Sequence, residues 1–481
     1  MNYYELLRLA APEAVLVGTA LVVLALGLLS SRAAGLCSGV AAAGILFSAS
    51  SVLLLPLHAS LFNGMLVITP LSSLFKVICL ALAFFTVILA RQFNTRHRGE
   101  YIALLLLATV GLMLLVGSEE LLVIFIGLEL TGLSLYVLAA FDKTDIRSAE
   151  AGLKYFLFGS TASAFTLFGI SLVYGMTGST SLAGIETKLG EVTPLLAAGL
   201  VMTLIGFAFK VAAAPFHLWA PDTYQGAPAP SAAFIASGSK VASFVVLGKI
   251  ILVGFGPLHG EAGWRAMAVG WAPLLAVLAA VSILLGNLAA LAQKNVRRLL
   301  AYSAVAHAGY TLLGLIAGGR DGFSATLFYT TSYAFTLVGA FGVVALVRRE
   351  TGGDDFTHFV GLRQRSPWLA GCMAVFMLSL AGIPPLAGFF GKFYLFSAAL
   401  HHGANYGLLW LVIVALLGSL ISFYYYLMVL KAIFVDTAVN SLPVLKYDLL
   451  QRVSIGLLAG IVLFLGTFPG GLVWKITSSL P

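Results

Sequence analysis

The chain has 481 residues, of which 60% are hydrophobic and only 10% are charged. Soluble domains carry about 25% charged residues, and a mean hydropathy of +1.02 over the whole chain cannot come from one anchor attached to a soluble domain. The composition therefore excludes a soluble enzyme, a nucleic-acid binder and a disordered chain. The net charge of +8 is better explained by membrane-protein loops, where Lys and Arg set the orientation, than by an acidic partner.

Apolar runs of membrane length recur from one end of the chain to the other. Because a spanning helix needs about 20 apolar residues, the runs predict an all-α polytopic membrane protein with about 14 transmembrane helices. The first run has no cleavage site typical of a signal peptide and is predicted to be the first span. The predicted spans are 11–30, 33–57, 70–90, 101–117, 121–141, 153–175, 193–219, 228–253, 266–292, 299–318, 323–347, 368–400, 405–430 and 453–474.

The basic residues of the loops predict the orientation. Loops after odd-numbered spans contain 15 Lys and Arg residues, whereas the opposite side contains five. By the positive-inside rule the first group faces the cytoplasm, so both termini face the outer side of the membrane. The three cysteines, Cys37, Cys79 and Cys372, are far apart and match no metal-binding spacing, so we expect them to be packing residues.

Seven lysines fall inside predicted spans. Lys76 and Lys431 lie near span ends, where their long side chains are expected to reach the interface. The position of Lys249 is ambiguous, and Lys154 could be either an interfacial anchor or a functional residue. The remaining three, Lys210, Lys240 and Lys392, lie deep within their spans.

Glu129 is the acidic counterpart of these deep lysines. A charge at the bilayer centre costs about 2.5–3.5 kcal/mol, so four such charges favour ion or proton handling over a static network of paired charges. A lysine removed from water gives up its proton more readily, whereas a nearby carboxylate favours the charged form. His217 and His307 could extend a proton path, although either could be a packing residue. No residue pattern predicts a metal or phosphate site.

Two predicted spans are too long to be straight helices. Residues 193–219 and 368–400 would measure about 40 and about 50 Å, whereas the hydrocarbon core measures about 30 Å. Pro215 and the Pro384-Pro385 pair are expected to interrupt them. Lys210 precedes the first break and Lys392 follows the second, and an interrupted helix beside an ionisable group is typical of a transport site.

The positions of the two breaks also predict the domain organisation. They fall in spans 7 and 12, so spans 4–8 and 9–13 are predicted to be two five-helix repeats of opposite orientation, with helices 7 and 12 discontinuous. The predicted parts are a three-helix segment at 1–95, a first repeat at 96–255, a second, inverted repeat at 256–435 and a final helix at 436–481.

Five stretches of the sequence form a recognisable set of motifs. They are Gly127-Leu128-Glu129-Leu130, Phe209-Lys210, Pro215–Asp222, Gln293–Ser303 and Gly382–Phe389 with Lys392. Together these motifs resemble a known family, the antiporter-like membrane subunits of respiratory complex I (NADH-quinone oxidoreductase), which are related to Mrp antiporter subunits. One departure is Asn295, where the family leads us to expect an acidic residue; this puts a local cytoplasmic ion pair in doubt.

The resemblance implies a role for each candidate residue. Glu129 and Lys210 would form a charge pair coupled to a neighbouring subunit, and Lys154 would modulate Lys210. Lys240 would be the central relay residue, continued by His307. Lys392 would exchange protons with the outer side.

The resemblance also implies the partners. They would be the other antiporter-like and small membrane subunits and, indirectly, the peripheral redox arm, with FMN, iron–sulfur clusters and quinone in partner subunits and no cofactor in this chain. We therefore expect a non-redox, proton-translocating subunit of an NADH:quinone oxidoreductase. Two alternatives stay open: a subunit of an Mrp-type cation/proton antiporter without redox partners, and a scaffold with a static charge network.

Overall fold

The computed structural model describes residues 3–29, 35–91, 93, 95–189, 193–264, 266–401, 407–437, 445 and 447–480. Arg32, Arg265 and Lys446, which contribute to the predicted orientation, lie outside the described residues. The described chain is mostly α-helical. Its one two-stranded antiparallel sheet pairs β1 (Ala59–Leu61) with β2 (Leu66–Ile68).

The helices of the described chain follow one another with short connections. They are α1 Tyr3–Leu9, α2 Ala11–Leu29, α3 Cys37–Leu53, α4 Pro70–Ala90, α5 Arg98–Gly117, α6 Leu121–Ala139, α7 Ile146–Thr177, α8 Leu182–Glu186, α9 Pro194–Val211, α10 Trp219–Gly226, α11 Ala229–Ala236, α12 Gly238–Lys249, α13 Trp271–Leu291, α14 Val296–Ala317, α15 Gly319–Thr351, α16 Phe356–Phe359, α17 Leu362–Arg365, α18 Pro367–Ala381, α19 Ala387–His401, α20 Leu409–Phe434, α21 Leu449–Thr467 and α22 Pro469–Ser479. A π-helical segment, Ile250–Gly254, continues α12.

The predicted fold class, a helical protein with many membrane spans, is confirmed. Among the described residues, 12 helical segments are long and apolar enough to cross a membrane. The second and twelfth predicted spans coincide with shorter apolar helices, α3 and α18. The count of about 14 spans and the inverted repeats therefore stay predictions.

Polar residues cap the helices that carry the candidate residues. The Glu120 carboxylate accepts a hydrogen bond from the backbone N–H of Val123 at 2.8 Å and so fixes the start of α6. The Asn295 side chain does the same for α14, accepting from the N–H of Arg298 at 3.1 Å. A glycine ends α18. Gly382, just after the last residue of that helix, adopts φ +86°, a left-handed conformation that glycine adopts without strain.

The helix interruptions predicted at the prolines are present. The helix of span 7 ends at Val211, four residues before Pro215, and the chain is helical again from Trp219. A second break separates α18 from α19 at the proline pair. A proline removes a backbone donor and its ring clashes with the preceding turn, which explains both positions.

A third interruption was not predicted. The eighth span divides at Ser237, whose φ and ψ of −115° and −80° are not helical, into α11 and α12. The Ser237 hydroxyl donates to the carbonyl of Ala233 at 2.6 Å. The surrounding Ser-Gly-Ser sequence was the available signal, because small polar residues weaken a helix and often accompany kinks.

The chain forms two compact units. Unit 1 contains residues 1–210, 226–259 and 479–481, and unit 2 contains residues 211–225 and 260–478. In unit 1, α5 packs against α2, α4, α6 and α12. In unit 2, α14 packs along α13 and α15, and 94% of the most apolar stretch of α14 and of α15 is buried. A charged or polar side chain within the buried stretch of α14 or α15 is therefore far from lipid and must find polar partners inside the protein.

Candidate functional site

Lys210 lies at the end of α9, one residue before the helix stops, and its side chain is buried. Its Nζ lies 5.5 Å from the centre of the Tyr136 ring and 5.9 Å from that of Phe209. Within the described part of the chain, this Nζ has no hydrogen-bond partner. A Cβ on Gly132 would lie 3.0 Å from Nζ, so the glycine makes room for the ammonium group. Aromatic ring faces, which attract cations, therefore surround the Lys210 charge.

Glu129, the predicted partner of Lys210, lies half-buried on α6. Its carboxylate accepts a short hydrogen bond from the Ser163 hydroxyl of α7. The carboxylate is within electrostatic range of Lys210 but does not form an ion pair with it. Both charged groups can thus change partner without first breaking a salt bridge. Sequence reasoning missed Ser163, because nothing in its local pattern links it to a residue 34 positions away.

Lys240 follows the unpredicted break at Ser237. It is the third residue of α12 and its side chain is buried. The first residues of a helix have backbone N–H groups without partners in the helix, so a break inside the membrane makes the surroundings of a side chain polar. Lys210, Lys240 and, in unit 2, Lys392 therefore share one local arrangement, a buried lysine beside an interrupted helix.

Lys154 differs from these buried lysines. Its Nζ forms an ion pair with Glu150, one turn earlier on α7, at 2.5 Å. The two side chains are 38% and 55% exposed, so the pair lies at the surface of unit 1. The role of Lys154 as a modulator stays a prediction.

His217 lies outside any helix, which corrects its predicted place in the second half of a spanning helix. The helix ends at Val211, so His217 falls in the irregular segment that contains Pro215. Its ring is buried, with its centre 6.5 Å from that of Tyr302. The Nδ1 atom has no hydrogen-bond partner among the described residues, which leaves it available to a proton donor.

His307 lies in the buried part of unit 2, and both of its ring nitrogens contact tyrosine hydroxyls. The Tyr329 hydroxyl lies 2.6 Å from Nδ1, and the Tyr426 hydroxyl lies 3.0 Å from Nε2. The Tyr333 ring stacks on the imidazole with centres 4.7 Å apart. Because a neutral imidazole donates from one nitrogen and accepts at the other, one hydroxyl accepts while the other donates. A proton that enters on one side can leave on the other.

Lys392 uses the helix break beside it. Its Nζ donates to the carbonyl oxygens of Leu380 and Ala381, at 3.1 and 3.2 Å. These are among the last carbonyls of α18, which have no partner within that helix because the break follows. The Tyr310 ring centre lies 5.3 Å from the same Nζ. The interruption thus supplies the acceptors that hold a buried ammonium.

A set of polar side chains extends from Tyr310 toward the surroundings of His307. The Tyr310 hydroxyl accepts from the Asn287 amide at 2.9 Å, and the Tyr425 hydroxyl donates to the Asn287 oxygen at 3.0 Å. The rings of Tyr425 and Tyr426 are 4.6 Å apart, and the Tyr426 hydroxyl reaches His307. Sequence reasoning missed these residues, although tyrosines and an asparagine inside apolar spans are a signal of buried hydrogen bonding.

Two lysines that were expected to behave alike behave differently. Lys431 is 55% exposed and pairs with Asp436 at 3.7 Å, as expected near a span end. Lys76, in contrast, is fully buried and forms an ion pair with Glu13 at 2.6 Å. The expectation that Lys76 reaches the interface was wrong, because a partner in α2 replaces contact with water.

The unusual Asn295 takes part in a network of charged residues at the start of α14, at the end of α15 and in the segment after α15. Its amide donates to Asp354 at 2.6 Å and to Asp355 at 2.8 Å. The Asp354 carboxylate also accepts from Arg297 and, at 3.1 Å, from Arg348. The ion pairing that Asn295 put in doubt is therefore present, with Asp354 as the acid.

The described residues contain no group of three His, Cys, Asp or Glu side chains placed to hold a metal ion. The three cysteines are buried and none of them forms a disulfide bond. The candidate residues of unit 1 are thus lysines and a carboxylate, whereas those of unit 2 are a lysine, two histidines and the tyrosine hydroxyls around them. This set suits the holding and transfer of protons.

Comparisons with known proteins agree with this chemistry. A family profile described as NADH:quinone oxidoreductase/Mrp antiporter, TM, matches residues 118–422. The chain is 46% identical to NADH-quinone oxidoreductase subunit N 2 of Acidobacterium capsulatum, over 98% of each chain. It is 40% identical to the protein of the same name from Roseiflexus castenholzii, over 96% of this chain and 94% of that one.

Solved structures show the same relationship. The chain is similar to one in respiratory complex I from Thermus thermophilus, with 32% identity, a TM-score of 0.80 and coverage of 98% of this chain and 100% of that chain. A chain of the Mrp complex from Dietzia sp. is 20% identical with a TM-score of 0.83, over 98% of this chain and 96% of that one, and shares the fold. The chain therefore belongs to the NADH:quinone oxidoreductase/Mrp antiporter membrane family and, within it, to the NADH-quinone oxidoreductase subunit N proteins.

Proposed function

We propose that this chain is a proton-translocating membrane subunit of an NADH:quinone oxidoreductase, and that its buried lysines carry the protons. Its partners are the other membrane subunits of the complex and, through them, the peripheral redox arm. FMN, iron–sulfur clusters and quinone belong to partner subunits, and the chain lies in a bacterial inner membrane with both termini on the outer side. Relatives covering nearly the whole chain support this reading.

One observation carries the proposal. Three of the buried lysines, Lys210, Lys240 and Lys392, each lie beside an interruption of a membrane helix. A buried charge costs about 2.5–3.5 kcal/mol, and an interrupted helix costs backbone hydrogen bonds in addition. Three repetitions of this arrangement are difficult to explain by packing, whereas polar backbone beside a charge is what a transported ion requires.

We propose the following roles. Glu129 and Lys210 respond together to a neighbouring subunit, because each is held by a neutral partner and can change its charge state. Lys240 passes the proton onward, with His217 and Lys154 as auxiliary residues of the path. His307 relays between its two tyrosine hydroxyls, and Lys392 exchanges the proton with the outer side.

The test uses the assembled complex in sealed membrane vesicles. We expect Lys210→Met to leave the complex assembled and to abolish most of the proton uptake driven by NADH oxidation. The matched control is Lys431→Met, which removes an exposed lysine near a span end. Equal proton uptake in both variants and in the wild type would contradict the proposal and favour the scaffold alternative.

The Mrp-type alternative makes a different prediction. A cation/proton antiporter without redox partners works without NADH and exchanges protons for Na⁺. We expect the purified assembly to contain flavin and iron–sulfur subunits and its proton transport to be independent of Na⁺. An assembly without redox subunits that requires Na⁺ would support the alternative.

A further inference from the structure

Asn287 is a buried amide on α13 to which the proposed relay gives no role. Its Nδ2 donates to the backbone carbonyl of Ile283 at 2.8 Å and to the Tyr310 hydroxyl at 2.9 Å. Its Oδ1 accepts from the Tyr425 hydroxyl at 3.0 Å. A Cβ on Gly418 of α20 would lie 2.7 Å from Nδ2, so the glycine lets α20 approach the amide closely. The nitrogen and the oxygen of the amide therefore both have partners within unit 2.

The contact with Ile283 determines which way the amide points. A backbone carbonyl oxygen only accepts hydrogen bonds, so the side-chain atom 2.8 Å from it must be the amide nitrogen. The amide oxygen then faces Tyr425 and also only accepts, so the single hydroxyl hydrogen of Tyr425 is donated to Asn287. Any other hydrogen bond at the Tyr425 oxygen must be one that this oxygen accepts.

The direction set at Tyr425 continues toward His307. The Tyr425 hydroxyl interacts with those of Ser303 and Tyr426, and these two share a short hydrogen bond. Because Tyr425 has no hydrogen left to donate, these contacts are all satisfied only if the Tyr426 hydrogen is donated within this group. The Tyr426 oxygen then accepts from His307 Nε2, 3.0 Å away. The neutral imidazole thus carries its hydrogen on Nε2.

The other side of the imidazole leads to the same assignment. The buried Tyr329 hydroxyl lies 2.6 Å from Nδ1, and its hydrogen bond to His307 is the one it makes within the described part of the chain. A hydrogen on Nδ1 would leave the Tyr329 hydrogen without an acceptor, which is unfavourable in a buried site. Tyr329 therefore donates to Nδ1. We call the residues that share this direction the His307 chain: Tyr329, His307, Tyr426, Ser303, Tyr425 and Asn287.

We propose that Asn287 is a positioning residue for His307, because it fixes the direction of the His307 chain and so keeps the hydrogen of the neutral imidazole on Nε2. Each hydroxyl of the chain can reverse its hydrogen bond by turning. Asn287 cannot, because its donor and acceptor are different atoms and Ile283 holds the donor in place. The amide itself carries no proton.

This inference rests on the proposed function, in which His307 relays protons between two tyrosine hydroxyls. A proton delivered to the Tyr329 oxygen moves the Tyr329 hydrogen onto Nδ1. The Nε2 hydrogen passes to the Tyr426 oxygen, which passes its own hydrogen to Ser303, and Ser303 releases one onward. The imidazole is neutral again but now carries its hydrogen on Nδ1. The chain must turn back before the next proton, and Asn287 determines the direction to which it returns.

The competing explanation is that Asn287 only holds α13, α14 and α20 together. Two buried tyrosines that bond to Asn287 distinguish the explanations, because only Tyr425 lies between the amide and His307. Tyr310→Phe removes a hydroxyl on the far side of the amide and leaves the direction of the chain unchanged. A role in packing alone would make the two substitutions equivalent.

Tyr425→Phe, in contrast, removes the link that carries the direction. Without the Tyr425 oxygen, a hydrogen on Nε2 leaves the Ser303 hydrogen without this acceptor. A hydrogen on Nδ1 leaves the Tyr329 hydrogen without one. Each tautomer of His307 then has one unsatisfied hydroxyl, so we expect comparable amounts of the two.

The experiment is ¹⁵N NMR of the assembled complex labelled at its histidine rings, at a pH well above the usual histidine pKa of about 6.5. The signals absent from His307→Gln belong to His307. We expect a hydrogen on Nε2 alone in the wild type and in Tyr310→Phe, and both tautomers in Tyr425→Phe. A hydrogen on Nδ1 in the wild type, or the same spectrum in the two tyrosine variants, would overturn the proposal.

Asn287→Leu keeps the test decisive if Tyr425→Phe fails to assemble. It removes the amide at similar size and should also give both tautomers, whereas a hydrogen on Nε2 alone would overturn the proposal. In sealed vesicles we expect either variant to slow proton uptake about twofold, since about half of the molecules hold the competent tautomer. Mixed tautomers with uptake equal to that of the wild type would overturn the positioning role.

The failure of this inference can be told from that of the proposed function. The tautomer of His307 is measured without turnover, so the spectra do not depend on proton translocation. If Lys240→Gln lowers the number of protons moved per electron but Tyr425→Phe keeps the wild-type tautomer, only this inference fails. If Lys240→Gln leaves that number unchanged, the proposed function fails, and with it the role of Asn287 in transport.

Discussion

The two hydroxyl groups that contact His307 allow a sharp prediction. Tyr329→Phe removes the hydroxyl 2.6 Å from Nδ1 and keeps the ring, whose centre lies 5.8 Å from that of the imidazole. A buried polar atom left without its partner costs about 1–3 kcal/mol. If this cost is added to the activation free energy of proton transfer across His307, the transfer rate falls roughly five- to 150-fold, since about 1.4 kcal/mol corresponds to a tenfold change in rate.

The assay is proton uptake by sealed vesicles that contain the assembled complex, driven by NADH oxidation and normalised to the amount of complex. The matched control is Tyr333→Phe, because the Tyr333 ring contacts the imidazole by stacking at 4.7 Å. We expect Tyr329→Phe to slow uptake strongly and Tyr333→Phe to have little effect. Equal rates in the two variants would refute the idea that the hydroxyl takes part in the transfer.

Three further predictions concern stability and assembly. Asn295→Asp places a carboxylate where an amide now donates to Asp354 at 2.6 Å, so we expect a lower Tm of the purified complex. Gly388→Ala places a Cβ against the backbone carbonyl oxygen of Ser379 on α18, so native gels should show loss of this subunit from the complex. Lys76→Met leaves the buried Glu13 carboxylate unpaired and should destabilise the protein by about 3–5 kcal/mol, whereas the double variant with Glu13→Gln should recover most of the loss in chemical denaturation. An unchanged Tm would contradict the prediction for Asn295→Asp, and normal assembly would contradict that for Gly388→Ala. A double variant no more stable than Lys76→Met would contradict the prediction for the Lys76–Glu13 pair.

The helices and the two proline breaks could be predicted because they depend on local sequence. Apolar length determines where a helix can span the membrane, and Pro215 and the Pro384-Pro385 pair interrupt a helix because they fall inside a span and not in its first turn. The break at Ser237 was missed because serine and glycine only weaken a helix. Whether such a helix breaks is decided by its tertiary surroundings, which no local pattern contains.

Some of the candidate residues could also be predicted from local sequence, although their contacts could not. A lysine in the middle of an apolar run is conspicuous, so Lys210, Lys240 and Lys392 stand out in the sequence. Their contacts do not, because the Lys210 ammonium lies over aromatic rings and Lys392 is held by carbonyl oxygens. Aromatic rings and backbone carbonyl groups occur throughout a membrane protein, so the sequence does not show which of them contact the lysines.

Lys76 shows where position in the sequence misleads. It lies near a span end, and a long side chain at that depth can reach water. The structure instead provides Glu13 on another helix, and the pair is buried. An ion pair between distant segments is a tertiary contact, so charge and depth alone could not distinguish this lysine from the exposed Lys431.

The central claim, that buried lysines of this subunit carry protons, is tested most directly at Lys240. The measurement is the proton-to-electron ratio of the purified complex in sealed liposomes, with Lys240→Gln compared against wild type at equal subunit content. The account predicts that quinone reduction continues at a measurable rate while fewer protons are moved for each electron. A ratio equal to that of the wild type, in a complex that assembles normally, would contradict it.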